Sequence, residues 1–211
     1  MADRSRRTVA ILVVMSRLRE IAPLAKAKFM SGDRRVKVLF DEKTIAKRTE
    51  ALAREIAAAN PKDLLVVAIL KGSFMFAADL LRALHRAGLE PQVEFFHLSS
   101  YLEGTVSSGT VKILRDIESS VRDRDVLLVD DILESGRTLA FAKDLLAARG
   151  ARRVLVCTML EKPGKRAVEI GADFIGFVCP DVFVVGYGMD VAHSYRELPF
   201  IGRVVTAQDA G

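Results

Sequence analysis

The 211-residue sequence has no tryptophan, two cysteines and three histidines, and these shortages exclude several kinds of functional site. The histidines, His85, His97 and His193, lie far apart, and no His/Cys cluster has the spacing of a metal centre. Cys157 and Cys179 lie in or near apolar strand-like runs, so we interpret both as buried reduced thiols. The sequence therefore offers no histidine–cysteine metal centre on which a function could depend.

A long apolar run is also missing, because no segment approaches the roughly 20 apolar residues that cross a membrane. Half of the residues are hydrophobic and 28% are charged, which is ordinary for a globular protein with one well-buried domain. The net charge of +5 favours anionic ligands. The basic residues are scattered, so nucleic-acid binding is allowed by the charge and not required by it.

The first thirty residues resemble an incomplete signal peptide. Basic residues precede an apolar run at residues 9–15, but this run is short and is followed at once by charged residues, which argues against export. Two other interpretations remain: a helix that packs on the domain, or a start codon assigned too early, with Met30 opening the natural chain. We predict an N-terminal extension at residues 1–33, a functional domain at residues 34–211, and a cytoplasmic location.

Short apolar runs alternate with helical patterns through the middle of the chain. Residues 64–70, for example, form a wholly apolar run of strand length, and a helical pattern follows at residues 74–87. This alternation predicts an α/β domain with a mainly parallel sheet. Residues 99–110 lose all periodicity, and we predict a mobile functional loop there. The predicted strands are residues 36–40, 64–70, 93–98, 111–114, 126–129, 154–160, 174–178, 182–185 and a short one near Val204.

Residues 125–140 carry the strongest local signal for a ligand site. An apolar run at residues 126–129 is closed by Asp130 and Asp131, and Glu134 then precedes a turn of small residues and a helical pattern. Open α/β sheets bind ligands at the carboxyl ends of their strands, and a helix N-terminus suits a phosphate group. The acids would repel a bare phosphate, so we expect them to face sugar hydroxyls or a metal ion. The stretch therefore predicts a site for a phosphorylated sugar.

Other nucleotide and hydrolase motifs do not fit. The turn before the helix lacks the first glycine of a Walker A loop and carries Arg137 in place of its lysine. Gly186 and Gly188 follow a strand-like run, but the third glycine of a dinucleotide fingerprint is missing. The sequence contains no Gly-x-Ser-x-Gly nucleophile elbow.

Residues 126–139 resemble the phosphoribosyl-pyrophosphate signature of type I phosphoribosyltransferases: an apolar strand, two acids, two apolar residues, then acid-Ser/Thr-Gly-x-Thr. Further motifs occur in the order seen in hypoxanthine-guanine phosphoribosyltransferases, and the resemblance covers about residues 36–205. It implies the type I phosphoribosyltransferase fold, with a small hood element beside the main sheet. The motifs are Leu70-Lys71-Gly72-Ser73, Ser99-Ser100-Tyr101, Glu161-Lys162-Pro163, Phe183-Val184-Val185-Gly186-Tyr187-Gly188-x-Asp190 and Tyr195-Arg196-x-Leu198-Pro199.

The resemblance implies purine salvage. In this family a purine displaces pyrophosphate from carbon 1 of the ribose, with Mg²⁺ as cofactor, and hypoxanthine or guanine yields IMP or GMP. It also implies phosphoribosyl pyrophosphate and a purine base as partners, no membrane, and a homodimer or homotetramer. Two alternatives stay open at this point: a phosphoribosyl-pyrophosphate-responsive regulator that binds RNA, and an enzyme with altered purine preference or low activity.

Site residues follow from the resemblance by position. Asp130, Asp131 and Asp190 would hold metal, and the Lys71–Gly72 peptide is often cis in the family. Tyr101 lies in the loop that closes over the site and is counted with the catalytic residues. The phosphoribosyl-pyrophosphate set is Lys71, Gly72, Asp130, Asp131, Ser135, Gly136, Arg137, Thr138 and Arg196.

The purine side is implied in the same way. Lys162 resembles the donor to the purine oxygen at carbon 6, Phe183 would stack on the ring, and Val184 would read the ring edge through its backbone, with Asp190 nearby. Glu134 stands where the family usually has an aspartate that acts as general base or acceptor at purine nitrogen 7. Its extra methylene could misplace the carboxylate by about an ångström, a shift that can cost on the order of a hundredfold in rate. We nevertheless predict that activity is retained.

Overall fold

The computed structural model describes residues 35–100 and 111–205, and the residues between Val36 and Val204 form one compact unit. Tyr101, the rest of the predicted mobile loop up to residue 110, and the N-terminal extension up to residue 34 lie outside the described residues. Within the described ranges there are nine strands and three helices. In chain order they are β1 (Arg35–Phe40), α1 (Glu42–Ala58), β2 (Leu65–Leu70), α2 (Phe74–Arg86), β3 (Gln92–Ser100), β4 (Val111–Arg115), β5 (Asp125–Leu133), α3 (Arg137–Ala148), β6 (Arg153–Glu161), β7 (Phe174–Val178), β8 (Val184–Val185) and β9 (Ile201–Val205).

The main sheet has six strands in the order β4-β3-β2-β5-β6-β7. All neighbouring pairs are parallel except β3 and β4, which are antiparallel. Consecutive side chains of β2 enter two different cores, because side chains of a strand alternate between the faces of its sheet. Val66 and Ala68 belong to the core that contains α1 and α2, whereas Leu65 and Val67 belong to the core that contains α3. The predicted α/β class with a mainly parallel sheet flanked by helices is confirmed.

Local sequence explains where the helices begin. Asp41 caps α1, and its Oδ1 accepts a hydrogen bond from Thr44 N at 2.7 Å. Ile45, Leu52 and Ile56 recur near the helical period and are buried. Of the helices in the described ranges, none is long and apolar enough to cross a bilayer.

Strand β5 is longer than the sequence predicted. Asp130 and Asp131 lie inside the strand and not just after it, because pairing with β6 continues through Ile132–Leu160 to Leu133–Glu161. Pairing with β2, in contrast, ends at Ala68–Val129. Beyond that point β5 has a strand partner on one side only, which leaves room for a cleft beside the two acids.

A second, small sheet has the order β1-β9-β8, with β8 and β9 antiparallel. It contains the carboxyl half of the predicted strand at residues 182–185, because only Val184–Val185 forms a ladder. This sheet corresponds to the expected hood element.

Candidate active site

Two cavities meet at the carboxyl end of β5. The first, of about 320 Å³, is lined by the end of β2, the two aspartates and the turn before α3. The second, of about 480 Å³, lies toward β8 and is lined by Lys162, Phe183 and Val184 among others. Asp131, Ile132 and Glu134 line both cavities. A ligand in one cavity would therefore lie next to a ligand in the other.

The turn at residues 135–138 forms the floor of the first cavity. Gly136 has a φ of 81°, a left-handed conformation that glycine adopts without steric cost, and it caps α3, which begins at Arg137. Ser135, Gly136 and Thr138 all line the cavity. The first N–H groups of a helix have no intrahelical acceptor, so this end of α3 is suited to an anion.

Asp130 and Asp131 form a closely spaced acidic pair in the wall of the first cavity. Burial raises the pKa of Asp130 well above its ordinary value, and the neighbouring Asp131 charge raises it further. Burial also raises the pKa of Asp131, while the Arg196 guanidinium acts to lower it. Asp130 is buried and Asp131 is partly buried, and two carboxylates with raised pKa values are poorly compensated by protein groups alone. They fit a cation or a set of hydroxyl donors supplied by a ligand.

The predicted metal residues do not form one protein-built centre. Within residues 35–100 and 111–205, no three His, Cys, Asp or Glu side chains gather closely enough to hold a metal ion. Asp190 is already engaged, since its Oδ1 lies 2.5 Å from Arg196 Nη2 and its Oδ2 accepts from His193 N at 2.8 Å. Asp130 and Asp131 suit Mg²⁺ because this ion commonly takes one or two carboxylates and fills its remaining positions with phosphate oxygens and water.

The predicted pyrophosphate loop packs tightly against this acidic pair. A Cβ atom at Gly72 would lie 1.7 Å from Asp131 Oδ2, so any side chain at this position would have to displace the Asp131 carboxylate. Gly188 approaches from the other side, where an added Cβ would lie 2.1 Å from Gly72 O. The cis peptide joins Leu70 to Lys71, one bond earlier than the Lys71–Gly72 bond expected from the resemblance, and so lies directly at the end of β2. Lys71 itself is exposed.

The second cavity contains the predicted purine residues. Lys162 is 6% exposed, and its Nζ lies 3.4 Å from Glu134 Oε1. Phe183 is half exposed at the wall of the cavity, where a planar ring could stack on it. Val184 is buried next to it in β8. A buried ammonium, a carboxylate and an exposed aromatic ring thus surround one space.

Arg196 connects the two halves of the site. Its Nη1 donates to Gly188 O at 2.6 Å, and its Nη2 pairs with Asp190. Gly188 in turn abuts the Gly72 backbone, so the guanidinium supports the loop that borders the acidic pair.

Sequence reasoning missed three charged residues at the site. Lys165 Nζ lies 3.7 Å from Glu134 Oε1 and 2.6 Å from Asp181 Oδ1, and both Lys165 and Asp181 line the second cavity. Arg166 contacts the backbone of Glu134 and of Lys162. Lys165 and Arg166 follow the Glu161-Lys162-Pro163 motif after a single glycine, and that proximity was the available signal.

Comparisons with known proteins show the family to which the chain belongs. A family model described as the phosphoribosyl transferase domain matches residues 35–192. The bifunctional protein TilS/HprT of Listeria monocytogenes is 47% identical over 167 residues, which are 79% of this chain and 25% of that protein. The hypoxanthine phosphoribosyltransferase of Escherichia coli is 42% identical over 173 residues, which are 81% of this chain and 96% of that protein. A solved hypoxanthine phosphoribosyltransferase from Staphylococcus aureus has a TM-score of 0.76 at 39% identity and covers 80% of this chain and 91% of that one.

The fold is that of the type I phosphoribosyltransferases. The chain spans a quarter of the length of the bifunctional Listeria relative and nearly the whole length of the Escherichia coli one. It belongs to the hypoxanthine phosphoribosyltransferase family, and the family membership inferred from the sequence is confirmed.

Proposed function

We propose that the protein transfers the phosphoribosyl group of phosphoribosyl pyrophosphate to hypoxanthine, guanine or both, forming IMP or GMP and pyrophosphate. The observation that carries this proposal is the pair of cavities that share Asp131, Ile132 and Glu134. One cavity has the acids and helix N-terminus that suit a phosphorylated sugar. The other has the ammonium, carboxylate and aromatic ring that suit a 6-oxopurine.

The roles of the residues follow from this placement. Lys162 donates to the purine oxygen at carbon 6, Phe183 stacks on the ring, and the Glu134 carboxylate accepts the proton at nitrogen 7. Purine nitrogen 9 forms the bond to carbon 1 of the ribose as the bond to pyrophosphate breaks. Positioning and charge stabilisation supply the catalysis, with no covalent enzyme intermediate.

The phosphoribosyl pyrophosphate side uses the remaining predicted residues. The turn with Ser135, Gly136, Arg137 and Thr138 holds the 5′-phosphate, while Lys71, Gly72 and Arg196 contact pyrophosphate. Asp130 and Asp131 hold the ribose hydroxyls and are the residues that would hold Mg²⁺, with Asp190 near a second ion. When bound, Mg²⁺ would offset the negative charge of the leaving pyrophosphate.

Assembly and location belong to the same proposal. The resemblance supports a homodimer or homotetramer, with a mass in solution of twice or four times the 23.2 kDa chain. Buried free thiols at Cys157 and Cys179 support a cytoplasmic location.

The resemblance also assigns Tyr101 to the loop that closes over the site, and this role stays a prediction.

An assay with separate purines tests the function. Purified protein with Mg²⁺ and phosphoribosyl pyrophosphate should release pyrophosphate with hypoxanthine or guanine and not with adenine, which carries an amino group where Lys162 needs an acceptor. Lys162→Met keeps the length of the side chain and removes the ammonium, so kcat/KM for the oxopurine should fall on the order of a hundredfold. Lys143→Met is the control at a partly exposed position of α3. If the wild type released no pyrophosphate with any purine, the proposed activity would be contradicted.

A further inference from the structure

The side chain of Arg166 lies where the β5–β6 ladder ends. The last paired residues of the two strands are Leu133 and Glu161. Arg166 Nη1 donates to Leu133 O at 2.8 Å and to Glu134 O at 2.7 Å. One guanidinium thus continues the cross-strand hydrogen bonding past the point where the backbone ladder stops.

The same guanidinium also holds the β6 side of the gap. Its Nη1 lies 3.3 Å from Lys162 O, its Nη2 pairs with the Glu161 carboxylate, and its Nε donates to Ile170 O at 3.3 Å. The side chain is 23% exposed, and the paired Glu161 carboxylate is 22% exposed. Five acceptors around one planar fork use a geometry that a lysine ammonium does not provide.

Two of these acceptors belong to Glu134 and Lys162, whose side chains both line the second cavity. Glu134 and Lys162 are 28 positions apart in sequence, yet their charged atoms are 3.4 Å apart. Backbone bonds support the same junction, because Lys162 N donates to Leu133 O at 3.0 Å and Ala167 N donates to Ser135 O at 2.9 Å. The guanidinium therefore holds in place the backbone from which each of these two side chains extends.

We infer that Arg166 is a positioning residue that sets the Glu134 and Lys162 backbones in register, so that both side chains meet the same edge of the purine. This inference rests on the proposed function for its kinetic consequence. It also suggests how Glu134 serves where relatives carry a shorter acid: the backbone that bears the longer side chain is held by a side chain of its own. Arg166 reaches the substrate only through these two residues.

We expect Arg166→Ala to release the Glu134 and Lys162 backbones from each other without unfolding the protein. A misplacement of about an ångström costs on the order of a hundredfold, so the single-turnover rate should fall by about that factor. The KM for phosphoribosyl pyrophosphate should change much less, because the turn at residues 135–138 keeps the N-terminus of α3. Arg166→Lys should fall between wild type and Arg166→Ala. Hydrogen exchange at Lys162 N and Ala167 N should speed up in Arg166→Ala, whether or not the protein turns over.

Arg48 offers a matched control. It uses the same chemistry, with Nη2 donating to Ile175 O at 2.7 Å, Nε to Gly176 O at 3.0 Å and Nη1 pairing with Glu55 at 2.6 Å, and its side chain is 27% exposed. Arg48→Ala should lower the melting temperature as Arg166→Ala does, and leave the single-turnover rate per folded molecule unchanged.

These measurements distinguish a positioning role of Arg166 from a purely stabilising one. Equal rates in Arg166→Ala and Arg48→Ala, after correction for folded protein, would reduce Arg166 to a stabilising contact and overturn the inference. Unchanged exchange at Lys162 N and Ala167 N would overturn it independently of catalysis. If the wild type turns over no purine, the proposed function fails, while the exchange comparison still decides whether Arg166 holds the junction.

Discussion

Glu134 lies between two lysines, and this environment bears on its extra methylene. Its Oε1 is 3.4 Å from Lys162 Nζ and 3.7 Å from Lys165 Nζ. Lys165 is itself held by Asp181 at 2.6 Å. The longer carboxylate is thus drawn toward the purine side of the site by two cations, and its Cα is held through the Arg166 contact to its carbonyl.

We expect the native Glu134 side chain to have the length that catalysis requires in this protein. Glu134→Gln should lower kcat by about 10²–10⁴-fold, because it keeps the shape and removes the proton acceptor. Glu134→Asp should not raise kcat, since the shortened carboxylate leaves the position set by Lys162 and Lys165. Steady-state kinetics of pyrophosphate release with hypoxanthine and guanine would measure both. A large rise in rate for Glu134→Asp would mean that the native glutamate is a handicap.

Strand β5 has different partners at its two ends. At its amino end Asp125 is fully buried, and its Oδ2 accepts from Lys62 N at 3.0 Å and from Arg153 Nη2 at 2.8 Å, with Arg152 also paired to it. At its carboxyl end the loss of pairing with β2 opens the cleft that holds Asp130 and Asp131. One strand therefore carries an anchor at one end and the site at the other.

The anchor has a predictable pH dependence. Burial acts to raise the pKa of Asp125, but the Lys62 N–H and the Arg153 and Arg152 charges outweigh it, so its pKa lies below the ordinary value. A lowered folded-state pKa contributes stability above the unfolded value of about 3.9, and this contribution is lost as pH falls through the folded value.

Asp125→Asn should therefore lower the free energy of unfolding by about 1–3 kcal/mol at neutral pH. The difference from wild type should shrink as the pH falls below about 4. Denaturant unfolding across that range would measure it, and kcat should be unchanged because the residue lies at the far end of β5. Asp63→Asn is the control, since this acid pairs with Arg124 at 71% exposure and should change stability little. An effect on kcat comparable to the effect on stability would contradict the separation of anchor and site.

At the scale of the whole molecule, we expect ligands bound in the two cavities to raise the free energy of unfolding. Burial and the neighbouring Asp131 charge raise the pKa of Asp130, so ionising both acids is unfavourable, and a cation bound with phosphoribosyl pyrophosphate would offset that cost. Elsewhere in the described residues arginines pair with acids, among them Arg86 with Glu50 and Arg149 with Asp116.

Mg²⁺ and phosphoribosyl pyrophosphate together should stabilise the protein more than either alone. A ligand at a hundred times its Kd adds about 2.7 kcal/mol, which a thermal melt detects readily. Chelation with EDTA should remove most of this gain in the wild type. Asp130→Asn should melt at the same temperature with and without EDTA in the presence of phosphoribosyl pyrophosphate. If chelation left the wild-type melting temperature unchanged, the two aspartates would not be the metal residues.

Much of the fold could be predicted because its signals are local. The apolar run that became β2 and the helical period of Ile45, Leu52 and Ile56 depend only on neighbouring residues. The end of β5 was placed too early, since the acids Asp130 and Asp131 look like a strand terminus until the pairing with β6 is known. The site residues were located by motif order, and their roles remain predictions that the experiments above would test.

By itself the sequence determined the alternation of strands and helices, the turn of small residues after β5 and the order of the family motifs, because each of these depends on a short contiguous stretch. Only the tertiary structure placed Gly72 against the Asp131 carboxylate, 59 positions away in sequence, so that a side chain at Gly72 would displace that acid. The same holds for Arg166 between Glu134 and Lys162, and for the cleft where β2 stops pairing with β5. Such contacts depend on strand order and on the residue at which each ladder ends, and no local pattern carries that information.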